Sequence, residues 1–217
     1  MNLANAKIGV LGSGDVGKVL ASGFRKHGHD VMIGSRDPAK ITDWASLSDV
    51  RSGDFAQTAA FGDILVLAVA GLVAEDALRL AGEGNLAGKV VIDATNPIAK
   101  EPPDSGVLRY FTAANDSLME QLQRAFPSAR LVKAFNSVGN AFMVNPSFPG
   151  GKPTMFICGN DVDAKAAVSQ ILDVFGWEAA DFGDAPTARA IEPLCQLWCA
   201  PGMRGGSWTH AFKLLKL

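Results

Sequence analysis

The sequence predicts an α/β protein built on a doubly wound, mainly parallel sheet with a small C-terminal extension. Three observations carry this. Short apolar runs alternate with helix-like stretches along the chain, the pattern of a sheet covered on both faces. Most of those runs are apolar nearly throughout, as strands buried on both sides are. A glycine-rich turn joins the first run to the first helix.

Strands are expected at Lys7 to Leu11, Asp30 to Gly34, Ile64 to Val69, Lys89 to Ala94, Arg130 to Phe135, Thr154 to Cys158 and Trp177 to Asp181. After the first, Val16, Leu20 and Phe24 recur every four residues and give the opening helix an apolar face. Asp37 before Pro38 has the form of an N-cap with proline at the first helical position. Ser117 and Glu120 have capping-box spacing ahead of Leu122. Asn160 or Asp161 can cap the stretch ending at Phe175, and Gly176 stands where a left-handed C-terminal residue belongs. Loops fall at Thr95 to Ser117 and Phe142 to Pro153, and loops of such length inside a domain are usually functional or mobile. The second divides residues 1–150 from a smaller part, 151–217. The turn-rich stretch from Pro201 to His210 leads into an apolar tail, Ala211 to Leu217, which is expected to pack against something.

Composition removes several classes of function. The 217 residues allow one domain, or one with a small appendage. With 20 Lys+Arg against 22 Asp+Glu, a net charge of -2 leaves no basic face for nucleic acid. Mean hydropathy is +0.15, yet the strongest apolar run, Ile64 to Ala74, is about half the length of a spanning helix. Met1 to Lys7 carries no apolar region of the signal-peptide kind, so a cytoplasmic protein without membrane partners is expected. Three cysteines with no C-x-x-C and no nearby histidine pair indicate neither a disulfide framework nor a metal site.

The glycines are more informative than the averages. Gly12, Gly14 and Gly17 form G-x-G-x-x-G directly after the first strand and open a helix, the context in which the motif marks a Rossmann-like dinucleotide site. Gly12 permits the tight turn, Gly14 lets the backbone approach a pyrophosphate, and Gly17 lets the helix pack closely on its strand. Ser13, Asp15 and Val16 complete the loop, and the free amides of the helix start favour the diphosphate. Ala68, Val69 and Ala70, at the end of the Ile64 run, are expected beside the same cofactor. The second strand ends in Gly34-Ser35-Arg36-Asp37. An NAD enzyme usually carries a carboxylate at this tip for the ribose 2′-hydroxyl. Here Ser35 and Arg36 suit a 2′-phosphate, with Lys40 as a further cation, so NADP(H) is expected. Asp37 is read as the cap of the next helix rather than as a displaced NAD-type carboxylate.

These segments, with Ala94-Thr95-Asn96-Pro97, Leu131-Val132-Lys133-Ala134-Phe135-Asn136 and Ile157-Cys158-Gly159-Asn160-Asp161, resemble the NADPH:F-420 oxidoreductase family, to which the cytosolic domain of the STEAP metalloreductases is also similar. The resemblance runs through nearly the whole chain. It implies hydride transfer between NADP(H) and the deazaflavin coenzyme F-420, with Ser35 and Arg36 at the 2′-phosphate and the Asn96-Pro97 loop beside the nicotinamide. Asn136 departs from the pattern, since archaeal members with deazaflavin chemistry carry a histidine there. The acceptor is therefore less closely specified than the donor.

No catalytic dyad is evident. His27 and His29 flank Gly28 at the far end of the first helix, and nothing resembles a Ser/His/Asp or Cys/His arrangement. Cys195 and Cys199 read as two small residues on one buried helix face, with a redox pair as the alternative. Glu192-Pro193 reads as a kink or helix start rather than as a catalytic acid. Hydride transfer between two cofactors needs mainly positioning, for which Asn96, Pro97 and Asn136 are the candidates, Asn136 alternatively serving the loop backbone. An acceptor pocket is expected at the carboxyl ends of the strands, near Ala70 and Gly71, Asn96 and Pro97, Asn136 to Val138, and Gly202 to Gly206. Met203, Trp208 and Phe212 wall that pocket, form a dimer interface or pack in the core. Residues 1–150 are expected to hold the dinucleotide, and 151–217 to contribute the acceptor site or dimerisation; the partners expected are a small-molecule redox acceptor and a second copy in a homodimer. Other acceptors (a flavin, a ferric chelate, a small carbonyl or imine) and a non-catalytic NADP(H)-sensing role are the alternatives.

Overall fold

A computed structural model describes residues 3–216. The readings that touch Met1, Asn2 and Leu217 lie outside the described residues. The chain runs β1 (Ile8–Leu11), α1 (Asp15–Lys26), β2 (Val31–Gly34), α2 (Thr42–Leu47), β3 (Arg51–Gly53), α3 (Phe55–Phe61), β4 (Ile64–Leu67), α4 (Ala74–Ala81), α5 (Glu83–Leu86), β5 (Val90–Asp93), α6 (Leu118–Ala125), β6 (Arg130–Lys133), β7 (Thr154–Ile157), α7 (Val162–Val174), β8 (Glu178–Asp181), α8 (Ala188–Ile191) and α9 (Pro193–Met203). Six strands form one parallel sheet in the order β3-β2-β1-β4-β5-β6. Strand order reverses between β1 and β4, the point where ligands of such sheets bind.

Alternate residues of each strand feed two cores. Ile8, Val10, Ile33, Ile64, Val66, Ile92 and Val132 pack with Leu20 and Phe24 of α1 and with Val168 and Leu172 of α7. Leu11, Leu65, Leu67, Val91 and Leu131 pack on the other face with Phe55, Leu78, Leu122 and Ile191 of α3, α4, α6 and α8. This is why the strands read as continuous apolar runs.

All seven expected strands are present, and one is added. β3 is three residues, Arg-Ser-Gly, at the sheet edge, and carries no apolar signal. The capping box of Ser117 and Glu120 forms as expected. Asp161, not Asn160, caps α7, accepting from Ala164 N at 2.7 Å, while Asn160 Oδ1 accepts from Ala185 N. Gly176 takes φ +88 after α7. Asp37 stands at the N-cap position of a short helical turn from Pro38 to Ile41, with the proline at its start as expected, but its side chain makes no capping bond. Its carboxylate pairs with Lys40 Nζ instead, at 3.2 Å.

β7 and β8 form a second, two-stranded parallel sheet. It joins the edge of the main sheet through an antiparallel bridge between Lys133 and Cys158. Residue 150 falls in the loop before β7, and the core continues across it. Met155, Ile157, Phe175 and Trp177 share a cluster with Ile8 and Val10, and Phe24 of α1 meets the Phe175 ring at 4.8 Å. The tail runs beside β7, with Thr154 N donating to Phe212 O at 2.8 Å. Among the described residues no helix is long and apolar enough to cross a membrane.

Candidate functional site

The glycine turn after β1 is built by close approach. Gly12 has φ +124, and a Cβ there would lie 2.2 Å from the Ala68 carbonyl oxygen at the end of β4. A Cβ on Gly17 would lie 2.0 Å from the Gly12 carbonyl oxygen, so α1 can start only where the sequence has glycine. Gly14 differs: the space in front of it is open. Gly14 is also the residue before α1, and no side chain caps the helix there. Exposed amides, a helix dipole and open space in front of a glycine make a cradle that fits a diphosphate.

The turn forms one end of a cleft of about 700 Å³. Of the expected cofactor residues, Gly12, Ser13, Gly14, Ser35, Arg36, Lys40, Ala68, Val69 and Ala70 line it. Gly17 lies behind the turn as a packing residue. Asp15 and Val16 are the first helical residues and do not line the cleft. Ser13 Oγ donates to Ser35 Oγ at 3.3 Å, tying the glycine turn to the β2 tip. Ser35 Oγ accepts from Asp37 N at 3.1 Å, which shapes the turn that presents Arg36. Arg36 is exposed and enters no ion pair among the described residues. It is thus free for an anion. The opposite wall comes from Val73, Asp76, Ala77, Arg79 and Leu80 on and before α4, with Phe55. Sequence reading did not pick out this wall. The three- and four-residue steps from Val73 to Leu80 give a helix face, but only the strand order shows that the face looks at the β2 tip.

Asn96, Pro97 and Asn136 stand at the carboxyl ends of β5 and β6, outside the cleft lining. The two asparagines meet. Asn96 Nδ2 donates to the Asn136 carbonyl at 2.9 Å, and Asn136 Nδ2 donates to Asn96 Oδ1 and to the Ile191 carbonyl at 3.2 and 3.0 Å. Asn136 is buried, with both amide hydrogens used inside the protein, so it ties three segments together. Phe135 before it holds φ +63 while fully buried. A bulky residue in the left-handed region costs on the order of 1–3 kcal/mol and persists only where its surroundings dictate it. Trp198 rests on Gly139 of the same loop; its indole N–H donates to the His210 carbonyl, and its ring stacks on His210 and meets Trp208 at a tilt. Gly202 packs directly under the Trp208 ring, so the Gly202 to Gly206 stretch anchors the tail.

Below these loops lies a group that the sequence did not reveal. Lys133 ends β6 opposite Asp93 of β5 in the sheet register. Its Nζ lies 2.7 Å from Asp93 Oδ2 and 2.9 Å from Glu192 Oε1, and donates to the Thr95 carbonyl at 2.9 Å. Burial works to lower the Lys133 pKa, but the Asp93 and Glu192 carboxylates outweigh it and leave it raised. Pro193 does begin a helix as expected. Glu192, however, is also an ion-pair partner and a cap, its carboxylate accepting from the N–H groups of Leu118 and Met119 at 3.0 Å each. Cys195 and Cys199 stand 4.0 Å apart, sulfur to sulfur, and free. Among the described residues no three His, Cys, Asp or Glu side chains are grouped to hold a metal.

Residues 7–97 match the family model described as NADP oxidoreductase, coenzyme F420-dependent. The chain is 31% identical over 189 residues to metalloreductase STEAP3 of Rattus norvegicus, an alignment that takes in 87% of this chain and 36% of the relative. It thus spans little more than a third of that metalloreductase. It is 30% identical over 204 residues to the F420-dependent NADP reductase of Methanothermobacter marburgensis, covering 88% of this chain and 90% of that protein. The solved structure of a provisional F420-dependent NADP-reductase from Arthrobacter sp. FB24 superposes with a TM-score of 0.90 at 36% identity, over 97% of this chain and all of the other. Identity at this level over nearly the full length of a relative, on a sheet and glycine turn with the geometry of a dinucleotide site, places the chain in the coenzyme F420-dependent NADP oxidoreductase family.

Proposed function

We propose that the cleft holds NADP(H), with its diphosphate on the α1 start, its 2′-phosphate at Ser35 and Arg36 and its nicotinamide beside Asn96 and Pro97, and that the protein passes hydride between this donor and a deazaflavin coenzyme. The observation that carries the reading is an uncapped, glycine-lined helix start in one cleft with an unpaired arginine at the β2 tip. When bound, the dinucleotide supplies the hydride chemistry. The chain binds and orients it: Arg36 and Lys40 attract the phosphate end, and the Asn96–Asn136 pair holds the loop at the ring end. Hydride exchange between stacked rings asks for near-attack positioning rather than for an acid or base.

The similarity to a metalloreductase supports a second reading, in which the acceptor is a free flavin or a ferric chelate. Asn136 in place of histidine fits either. NADPH oxidation with the deazaflavin, a free flavin and a ferric chelate as separate acceptors decides between them, and tight NADPH binding without turnover on any would indicate a sensing module. Arg36→Ala tests the donor. Loss of a charge-assisted contact of about 1.5–3 kcal/mol should weaken NADPH roughly tenfold or more while leaving NADH nearly unchanged. Equal loss for both cofactors would sink the assignment.

A further inference from the structure

The buried ion cluster beneath the β5 and β6 loops has no part in the reading above. Lys133, Asp93 and Glu192 expose 0%, 0% and 1% of their surface. Desolvating such ions costs several kcal/mol each, and apolar residues of similar volume commonly serve a core as well or better. Stability alone gives no reason for them. Lys133 is not placed to relay protons, since its Nζ is fully buried, donates to the Thr95 carbonyl and is held at ion-pair distance by Asp93 Oδ2 and Glu192 Oε1. What the cluster does reach is the loop leaving β5. Thr95 is held from both sides: its N–H and hydroxyl donate to Asp93 Oδ1 at 2.9 and 2.6 Å, and its carbonyl accepts from Lys133. Asn96 follows at once.

The charges do not cancel. Two carboxylates face one ammonium, leaving one negative charge in the core, of which the α6 N-terminus against Glu192 offsets about half. Among the neighbouring acids, burial pushes the Cys158 thiol up to about 12 and raises the Tyr110 hydroxyl, and the hydrogen bond with Cys199 together with burial raises the Cys195 thiol; the same hydrogen bond lowers the Cys199 thiol, which adds no positive charge. Arg189 nearby is neutralised by Glu120. A residual negative potential therefore stands against Thr95, the residue that leads into Asn96 and Pro97.

We propose that Asp93, Lys133 and Glu192 are positioning residues that form a net negative anchor for the Thr95 to Pro97 loop and favour the oxidised over the reduced nicotinamide in the site. This rests on the placement of the nicotinamide beside Asn96 and Pro97. The oxidised ring carries a positive charge that the reduced ring lacks, so a buried negative charge acts on one form only.

The test is the ratio of dissociation constants for NADP+ and NADPH, measured by calorimetric titration of the full chain. In Glu192→Gln the amide oxygen can keep Lys133 and Met119 N as partners while one negative charge is lost and Leu118 N–H gives up its acceptor. The ratio of the NADP+ constant to the NADPH constant should rise between about three- and tenfold, with NADPH itself changed less than about twofold. Asp93→Asn removes the same charge from the other side and should move the ratio in the same direction. Equal weakening of both forms, an unmoved ratio in a folded variant, or opposite shifts in the two variants overturns the proposal. Should neither variant fold, the wild-type protein decides: tighter binding of NADP+ than of NADPH supports the anchor, and the reverse overturns it. Failure of the wild-type protein to bind either form overturns the dinucleotide reading itself, whereas binding of both with an unmoved ratio overturns only the anchor.

Discussion

At the β2 tip a single carboxylate limits how strongly the cleft attracts a phosphate. Asp37 pairs with Lys40 at 3.2 Å, and both side chains are more than half exposed, so the pair adds little to stability. Its effect is on charge: it occupies a cation that the 2′-phosphate could use. Asp37→Asn should leave the unfolding midpoint nearly unchanged, within about 0.5 kcal/mol. It should tighten NADPH several-fold without tightening NADH, as read by fluorescence titration; weaker NADPH binding would mean that Asp37 supports the turn after all. Single residues were most readable where sterics decide, as at Gly12 and Gly17, whose would-be Cβ atoms collide with backbone oxygens. At Asp37 the following Pro made the N-cap position legible, but not the partner of its carboxylate, which turns to Lys40 instead of the helix amides.

Among the elements, α6 gathers the most polar attachments. Ser117 and Glu120 close its capping box, Glu192 takes two of its free N–H groups, and Arg189 of α8 forks onto Glu120. The Arg189 hydrogen bonds hold the Glu120 carboxyl at about 2, against an opposing effect of burial and with help from Ser117. A carboxyl whose folded pKa lies below its usual 4.5 stabilises the fold fully above that value and loses the contribution as pH falls from about 4.5 to about 2. Urea midpoints of the wild type should therefore fall across this window, and Glu120→Gln should flatten that part of the profile; parallel profiles would show that the pair contributes nothing. Elements with apolar runs or caps were visible in the sequence. β3 was not, because an edge strand reading Arg-Ser-Gly borrows its conformation from β2. The inward face of α4 was not, because amphipathicity names a face without naming what it looks at.

For the whole molecule, the boundary drawn near residue 150 separates two stretches of sequence that share one core. Trp177, fully buried, donates its indole N–H to the Met143 carbonyl across that boundary, and Phe175 lies against Phe24 and Phe135. A chain cut after Gly150 should lack a cooperative thermal transition and should bind a hydrophobic dye such as ANS, while full-length protein melts in one step; a sharply melting 1–150 fragment would show the parts to be independent. The parallel order of the sheet followed from the alternation of runs and helices, because right-handed crossovers leave few alternatives. The Asp93–Lys133–Glu192 cluster did not, since its members are far apart in sequence and each has an innocuous local reading. The bridge of Lys133 to Cys158 has one more consequence. It covers the carboxyl end of β6, where a six-stranded parallel sheet would otherwise leave its edge open, with one antiparallel pair. At the other end, β3 is three residues long and carries Arg51, ion-paired to Asp30. Neither margin of this sheet offers a long row of free amides and carbonyls, so strand-on-strand joining through it is discouraged.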